Sequence, residues 1–301
     1  MTADDLRGDS EGSARGNGEV SGAPTARRIV LGAQLRRLRE ATDISRAQAG
    51  YAIRGSDSKI SRMELGRVGF KERDVADLLT MYGVTDSSER EVFLEMVRKS
   101  NERGWWHRYT DLMPDWFQDF VGLEESASLI QNYELQFVPG LLQTEEYTRA
   151  VASRGHPDHL DEPTERRVRL RLQRQKVLSR PGAPRLWAVV DESVLHRPIG
   201  GPAVLRRQLD HLLEMTRQPN ITLQIVPYDR SGYAAEGAFS MLRFAEPALP
   251  DIVYVEHLGG ALYLDRPNEI ELYGRVIDRL AVDAETPDNS RQMLAKVRSA
   301  I

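Results

Sequence analysis

Twelve consecutive residues, SDSKISRMELGR from Ser56 to Arg67, hold three hydroxyls, two carboxylates, one ammonium and two guanidiniums. Such groups recognise other molecules through hydrogen bonds and charge: a guanidinium is a planar fork of donors, a carboxylate only accepts, and a hydroxyl does both. The first four residues also fit the S-x-x-K spacing of acylating serine enzymes. The K-T-G and S-D-N elements that complete such a site are absent, so covalent catalysis is not expected here.

Other stretches carry reactive residue types without a working set. In GHPDHLDEP, His156, Asp158, His159, Asp161 and Glu162 resemble metal ligands, but two prolines and the lack of His-x-x-x-His spacing make it read as a solvated loop. In VVDES, Asp191 and Glu192 follow an apolar run, where catalytic carboxylates often stand; the same pair could cap the next helix. Glu256 and His257 end another apolar run beside Gly259 and Gly260, where a ligand pocket and a hydrogen-bonded core histidine both fit. Neither glycine-rich phosphate-loop pattern occurs. The sequence therefore leads us to expect no enzyme activity and no catalytic, cofactor or metal site.

Helices must position the Ser56–Arg67 run. RRIVLGAQLRRLREATD spaces Ile29, Leu31, Leu35 and Leu38 helically, with Arg36, Arg37 and Arg39 on the wet side. In ISRAQAGYAIRG, Ser45 is a good N-cap and Ala47, Ala49 and Gly50 are small enough for another helix to cross closely. Ser56 caps a third helix over about Asp57 to Leu65, with Ile60 and Met63 on its inner face and Gly66 stopping it. Two further amphipathic runs, KERDVADLLTMYGV and SSEREVFLEMVRKSNERG, bring the count to five helices between residues 28 and 102.

A short helix, a tight turn and a second short helix meet the steric needs of a helix-turn-helix. The N-terminal positions of the second helix could then reach base edges in a major groove: Asp57, Ser58 and, one turn on, Arg62. Arg62 could fork onto guanine O6 and N7, and Asp57 could accept from cytosine N4, while Arg46 and Lys59 would touch phosphate. Periodicity alone fits an ordinary core-filling amphipathic helix equally well.

The segment LGAQLRRLREATDISRAQAGYAIRGSDSKISRMELGR resembles the Cro/repressor-type (XRE) helix-turn-helix family. The resemblance makes the third helix the recognition helix, puts Arg46 where Gln is usual, and matches Glu64 and Arg67 to the family's closing Glu and Arg. It departs at Gly50, normally Ala, and at Arg54, which stands where the turn glycine is usual and could need positive φ. The implied DNA-binding set is Arg46, Ser56, Asp57, Ser58, Lys59, Ser61, Arg62 and Arg67. Farther along, GWWHRYTDLMPDWFQDFVGLEESASLIQNYELQFVPGLLQTEEYTRAV, RLWAVVDESVLHRPIGG and DIVYVEHLGGALYLDR resemble actinobacterial, antitoxin-like regulators whose C-terminal domain has no characterised function. That likeness implies a small protein partner from a neighbouring gene.

Bulk properties agree with a DNA-contacting module on a larger domain. Of 301 residues with net charge −4, those from Arg27 to Tyr82 carry 12 Lys/Arg against 7 Asp/Glu, a net of +5, leaving −9 elsewhere. Residues 1–26, rich in small and polar types, read as a disordered tail; 27–102 as the five-helix all-α DNA-binding domain; and 103–301, from an aromatic seam at Trp105, Trp106, Trp116 and Phe117, as an α+β or α/β domain with a mixed sheet. The basic run ERRVRLRLQRQKVLSR reads as a packed helix with a solvated basic side, open to an acidic partner or flanking DNA. There are no cysteines, and neither a bilayer-spanning run nor a secretion signal is visible, so a cytoplasmic, nucleoid-associated protein is expected. The expected function is that of a dimeric, operator-binding transcriptional regulator whose second domain dimerises or binds a partner or signal. The alternative is an antitoxin-like adaptor that holds a small protein, with DNA binding secondary.

Overall fold

The computed structural model describes residues 24–154, 162–230 and 237–301. Five helices come first: α1 (Pro24–Ala41), α2 (Arg46–Ala52), α3 (Asp57–Glu64), α4 (Glu72–Met81) and α5 (Ser87–Ser100). Their apolar faces meet in one core that includes Leu31, Leu35, Ile60, Met63, Leu78, Leu79 and Val97. Helices α2, α3 and α5 are each started by a side chain that satisfies a free backbone donor. Ser45 Oγ accepts from Gln48 N, and the Gln48 side chain returns the bond to Ser45 N. Ser56 Oγ accepts from Lys59 N at 3.2 Å, and Asp86 caps α5.

A 3₁₀ turn over Trp105–Leu112 leads to the second domain. Its elements are α6 (Asp115–Ser126), β1 (Leu129–Glu134), α7 (Glu145–Arg154), α8 (Glu162–Gln175), β2 (Arg185–Asp191), α9 (Ser193–His196) and α10 (Pro202–Met215), then β3 (Ile221–Val226), β4 (Phe239–Arg243), β5 (Ile252–His257), β6 (Gly260–Leu264), α11 (Pro267–Asp283) and α12 (Pro287–Ala300). The strands form one sheet in the order β3-β2-β1-β4-β5-β6. Strands β1, β2 and β3 run parallel and are separated by helices, whereas β4, β5 and β6 are an antiparallel meander added at β1. The architecture is therefore an all-α module followed by an α+β domain with a mixed sheet, as the sequence led us to expect.

Alternation along the strands sends side chains to two faces. Tyr133, Val189, Met241 and Val253 pack on one side against Ile277 and Leu280 of α11. Ile130, Leu186, Ala188, Leu223 and Leu242 pack on the other against α6, α10 and α12.

Three expectations are corrected. Helix α1 starts at Pro24, inside the stretch read as a tail; residues 1–23 lie outside the described residues. Arg39 is not on a wet face but buried, 9% exposed. The side of α8 read as a solvated basic surface is partly spent on ion pairs: Arg174 is buried against Glu124, Arg166 pairs with Asp111, and Arg180 just beyond the helix pairs with Glu125, while Arg169 stays exposed. Periodicity did not show this because the acids that receive these arginines lie 50 or 55 residues away in sequence.

Candidate functional site

Helix α3 is fixed on three sides and open on the fourth. Ile60 and Met63 enter the core. At its C-terminal end Glu64, 8% exposed, receives a bidentate pair from Arg39 of α1, Nε to Oε1 at 2.5 Å and Nη2 to Oε2 at 3.1 Å. Arg39 also donates to the Ile44 carbonyl at 2.9 Å, so one guanidinium ties α1, the turn after it and α3 together. Close backbone approach completes the clamp. A Cβ on Gly50 would lie 2.8 Å from the Ser56 carbonyl carbon, and one on Gly32 would lie 2.4 Å from the Met63 oxygen. The unusual Gly50 is thus the residue that lets α2 meet the start of α3. Arg54 does take positive φ, 53°, in the connecting turn.

The open face carries Ser58 and Arg62, both exposed and one turn apart. Arg62 Nε reaches only the Ser58 carbonyl, at 3.4 Å, and its guanidinium makes no ion pair among the described residues. Arg67, just past the helix, is exposed as well. Arg46 at the start of α2 bridges to α3, with Nε 3.5 Å from Asp57 Oδ1 and Nη1 donating to Ser61 Oγ at 3.3 Å. Asp57 is therefore shared with Arg46, and Ser61 faces α2. Ser56 spends its oxygen on the cap. Lys59 departs most from its expected place: its Nζ lies 2.6 Å from Asp74 of α4, a carboxylate 13% exposed, so the ammonium braces two helices instead of facing outward. The same placement separates it from the S-x-x-K chemistry considered for Ser56.

In the second domain, Asp191 accepts from Ser193 N, the first residue of α9, and Glu192 accepts from Tyr228 N. His156, Asp158, His159 and Asp161 lie outside the described residues. His257 is exposed and accepts from Gly259 N at 3.3 Å, so the core-histidine reading is corrected. Glu256, however, stands at the mouth of a cavity of about 1010 Å³ between the sheet, α6 and α8.

The cavity floor is the sheet face carrying Ile130, Asn132, Glu134, Ser240 and Tyr254, and its walls bring Phe117 and Phe120 from α6 and Arg171 and Arg174 from α8. Arg174 forms a bidentate pair with Glu124, both bonds 2.8 Å, and lies 5.0 Å over the Phe117 ring. Arg171 donates to Gln143 Oε1 at 2.9 Å, and burial together with neighbouring Arg174 pulls its pKa down to about 10. Burial, then Glu256, pushes Glu134 up to about 7, with Arg171 opposing. Tyr254 donates to Glu256 at 2.8 Å. Asn132, 7% exposed, leaves its Oδ1 buried without a hydrogen-bond partner among the described residues. The sequence reading missed Asn132, Glu134 and Gln143 and placed Arg171 only in a solvated basic run; the polar residues at 132 and 134, which follow Ile130 on one face of β1, were the available signal.

Comparison with known proteins gives two matches. Residues 30–93 match the family described as Helix-turn-helix domain, and residues 117–296 match Domain of unknown function (DUF5753). No curated protein and no solved structure matches the chain. Among the described residues no helix is long and apolar enough to cross a membrane. The first match spans α1 to α5 and the second, which covers more than half of the chain, spans the sheet and the cavity, so the protein belongs to the DUF5753 family and carries a helix-turn-helix DNA-binding domain ahead of it.

Proposed function

We propose that the protein is a sequence-specific transcriptional regulator that binds its operator as a dimer, with α3 of each copy in a major groove. The observation that carries this reading is the asymmetry of α3: its inner face and C-terminal end are locked by Ile60, Met63 and the Arg39–Glu64 pair, while Ser58 and Arg62 stand outward without a charged partner. Arg62 reads a guanine edge through its fork, Ser58 bonds either base type, and Asp57 contributes to the extent that Arg46 releases it. Arg46 and Arg67 contact phosphate. Lys59 we assign to holding α3 on α4. Two copies place their recognition helices about 34 Å apart on successive turns of a two-fold symmetric site.

The second domain dimerises, or receives a signal or partner, and performs no catalysis in this reading. A second reading, in which it holds a small protein partner in the manner of an antitoxin, draws on the edge strand β6, which among the described residues has no strand on its outer side and where Leu262 is 52% exposed, and on the hairpin tip at Leu258, which is fully exposed. An unpaired edge with apolar side chains can accept a strand from another chain.

Selection from a random DNA pool with the full-length protein and with Arg62→Ala, at two salt concentrations, tests the first reading. The parent enriches a two-fold symmetric site. In the variant one base position per half-site loses its preference, at a cost of about 1–3 kcal/mol, while the salt dependence stays nearly unchanged. Equal weakening at every position contradicts the role given to Arg62, and no enrichment at either salt contradicts sequence-specific binding by the protein alone.

A further inference from the structure

The cavity between the sheet, α6 and α8 has the size of a small-molecule site, and charges of both signs line it from opposite sides. On the sheet, Asn132 of β1 pairs with Ser240 of β4, which pairs with Tyr254 of β5, and Glu134 and Glu256 each stand two residues farther along. Strands β1 and β5 run in the same direction, so the two carboxylates share one face and one end of the sheet, two strands or about 9.5 Å apart. On α8, Arg167, Arg171 and Arg174 recur at helical spacing, which puts them on one stripe of the helix, and all three line the cavity. The remaining wall is aromatic, from Trp116, Phe117 and Phe120 of α6.

Pairing removes one charge of each sign and leaves two of each. Arg174 and Glu124 neutralise each other in a bidentate contact. Arg167 and Arg171 on α8, and Glu134 and Glu256 on the sheet, make no ion pair among the described residues: Arg171 donates to Gln143, and Glu256 accepts from the Tyr254 hydroxyl. One row deeper, the Asn132 amide oxygen is buried without a donor among the described residues. A ligand with only a positive charge leaves the two arginines unmatched, and one with only a negative charge leaves the two glutamates unmatched. An uncharged ligand strips water from both sets and returns nothing to either. A ligand that carries both charges matches each set, its carboxylate in the fork of a guanidinium and its ammonium at a carboxylate.

We infer that this cavity is a binding site for a small aromatic zwitterion, the class to which aromatic amino acids belong: its carboxylate faces Arg167 and Arg171, its ammonium faces Glu134 and Glu256, and its ring lies against Phe117 and Phe120. The assignment rests on the reading of the second domain as the receiver of a signal and is independent of how α3 meets DNA.

Four probes that share one ring system test it in the full-length protein at pH 8, by calorimetry and thermal melting: L-tryptophan carries both charges, tryptamine only the ammonium, indole-3-propionate only the carboxylate, and 3-ethylindole neither. L-tryptophan should bind at least about tenfold more tightly than either singly charged probe and raise the melting temperature most. Two variants separate the charges. Glu256→Gln, at an exposed position, should weaken tryptophan and tryptamine several-fold and leave indole-3-propionate no weaker. Arg167→Gln, at a half-buried position, should weaken tryptophan and the propionate several-fold and leave tryptamine no weaker, with circular dichroism checking that both variants fold. A singly charged probe that binds as tightly as tryptophan, no binding of tryptophan up to about 10 mM, or tryptophan affinity unchanged in either variant overturns the inference. None of these outcomes alters the selection of DNA by the protein alone, so the two readings fail separately.

Discussion

Arg39 and Glu64 occupy the least forgiving position in the DNA-binding domain. Both side chains are at most 10% exposed, and their bidentate contact holds the end of α3 to α1. Removing one partner strands the other charge in a place where water cannot replace it, so Glu64→Ala should destabilise the protein by about 3–5 kcal/mol in urea unfolding. Replacing both with apolar residues, Arg39→Met with Glu64→Leu, should recover most of that loss; a double variant as unstable as Glu64→Ala would mean that the pair supplies more than mutual neutralisation. Arg62 is the contrasting case. Its side chain makes no ion pair, so its removal should cost DNA recognition and leave stability within about 0.5 kcal/mol, measured by the same unfolding curves.

Among the elements, the α2–turn–α3 unit depends on how closely two backbones approach. Alanine is a better helix former than glycine by up to about 1 kcal/mol, and at an open position Gly50→Ala would stabilise α2. Here the added Cβ meets the Ser56 carbonyl carbon at 2.8 Å, and the obstacle is backbone that cannot rotate away. Gly50→Ala should therefore lower stability by about 1–3 kcal/mol and weaken DNA binding, because α3 must shift to make room. Unfolding curves and a binding titration on the same variant measure both effects; an unchanged or raised stability would show that the crossing is looser than these distances require. Helix α1 has a double attachment. Its later part holds α3 through Gly32 and Arg39, while its first turns meet the second domain: Thr25 lies over Gly122 of α6, Arg28 is 3.7 Å from Asp119, and Val30 joins Leu249.

Over the whole molecule, that double attachment places one rigid helix between α3 and α6, the helix whose other side walls the cavity. The cavity also shapes stability against pH. Glu134 has a pKa near 7 in the folded chain against an ordinary value of 4.5, raised by burial and Glu256 and opposed by Arg171. The folded state holds this proton more tightly than the unfolded state, so the stability associated with Glu134 is fully present below about pH 4.5 and declines until about pH 7, above which it stays level. Glu134→Gln, neutral throughout, should gain stability relative to the parent across that window. The difference in melting temperature between variant and parent should be small at pH 5 and larger at pH 8; a difference independent of pH would mean that the Glu134 proton is not held in this way.

The sequence by itself determined the elements and the kind of surface they present. Hydrophobic spacing located the five N-terminal helices to within a few residues, and the Ser45 and Ser56 caps announced where α2 and α3 begin, because local hydrogen bonds and periodicity are encoded over a few neighbouring residues. The outward set Ser58 and Arg62 followed from the same periodicity. Tertiary structure alone decided which charges are spent inside. Lys59 is drawn to Asp74, Arg39 to Glu64 and Arg174 to Glu124, across separations of 15, 25 and 50 residues. The cavity is equally non-local: Asn132, Arg171 and Glu256 come from three distant segments that meet only when β5 joins the sheet and α8 folds across it. Partner choice for a long charged side chain depends on which oxygen lies nearest in space, and only chain packing sets that distance.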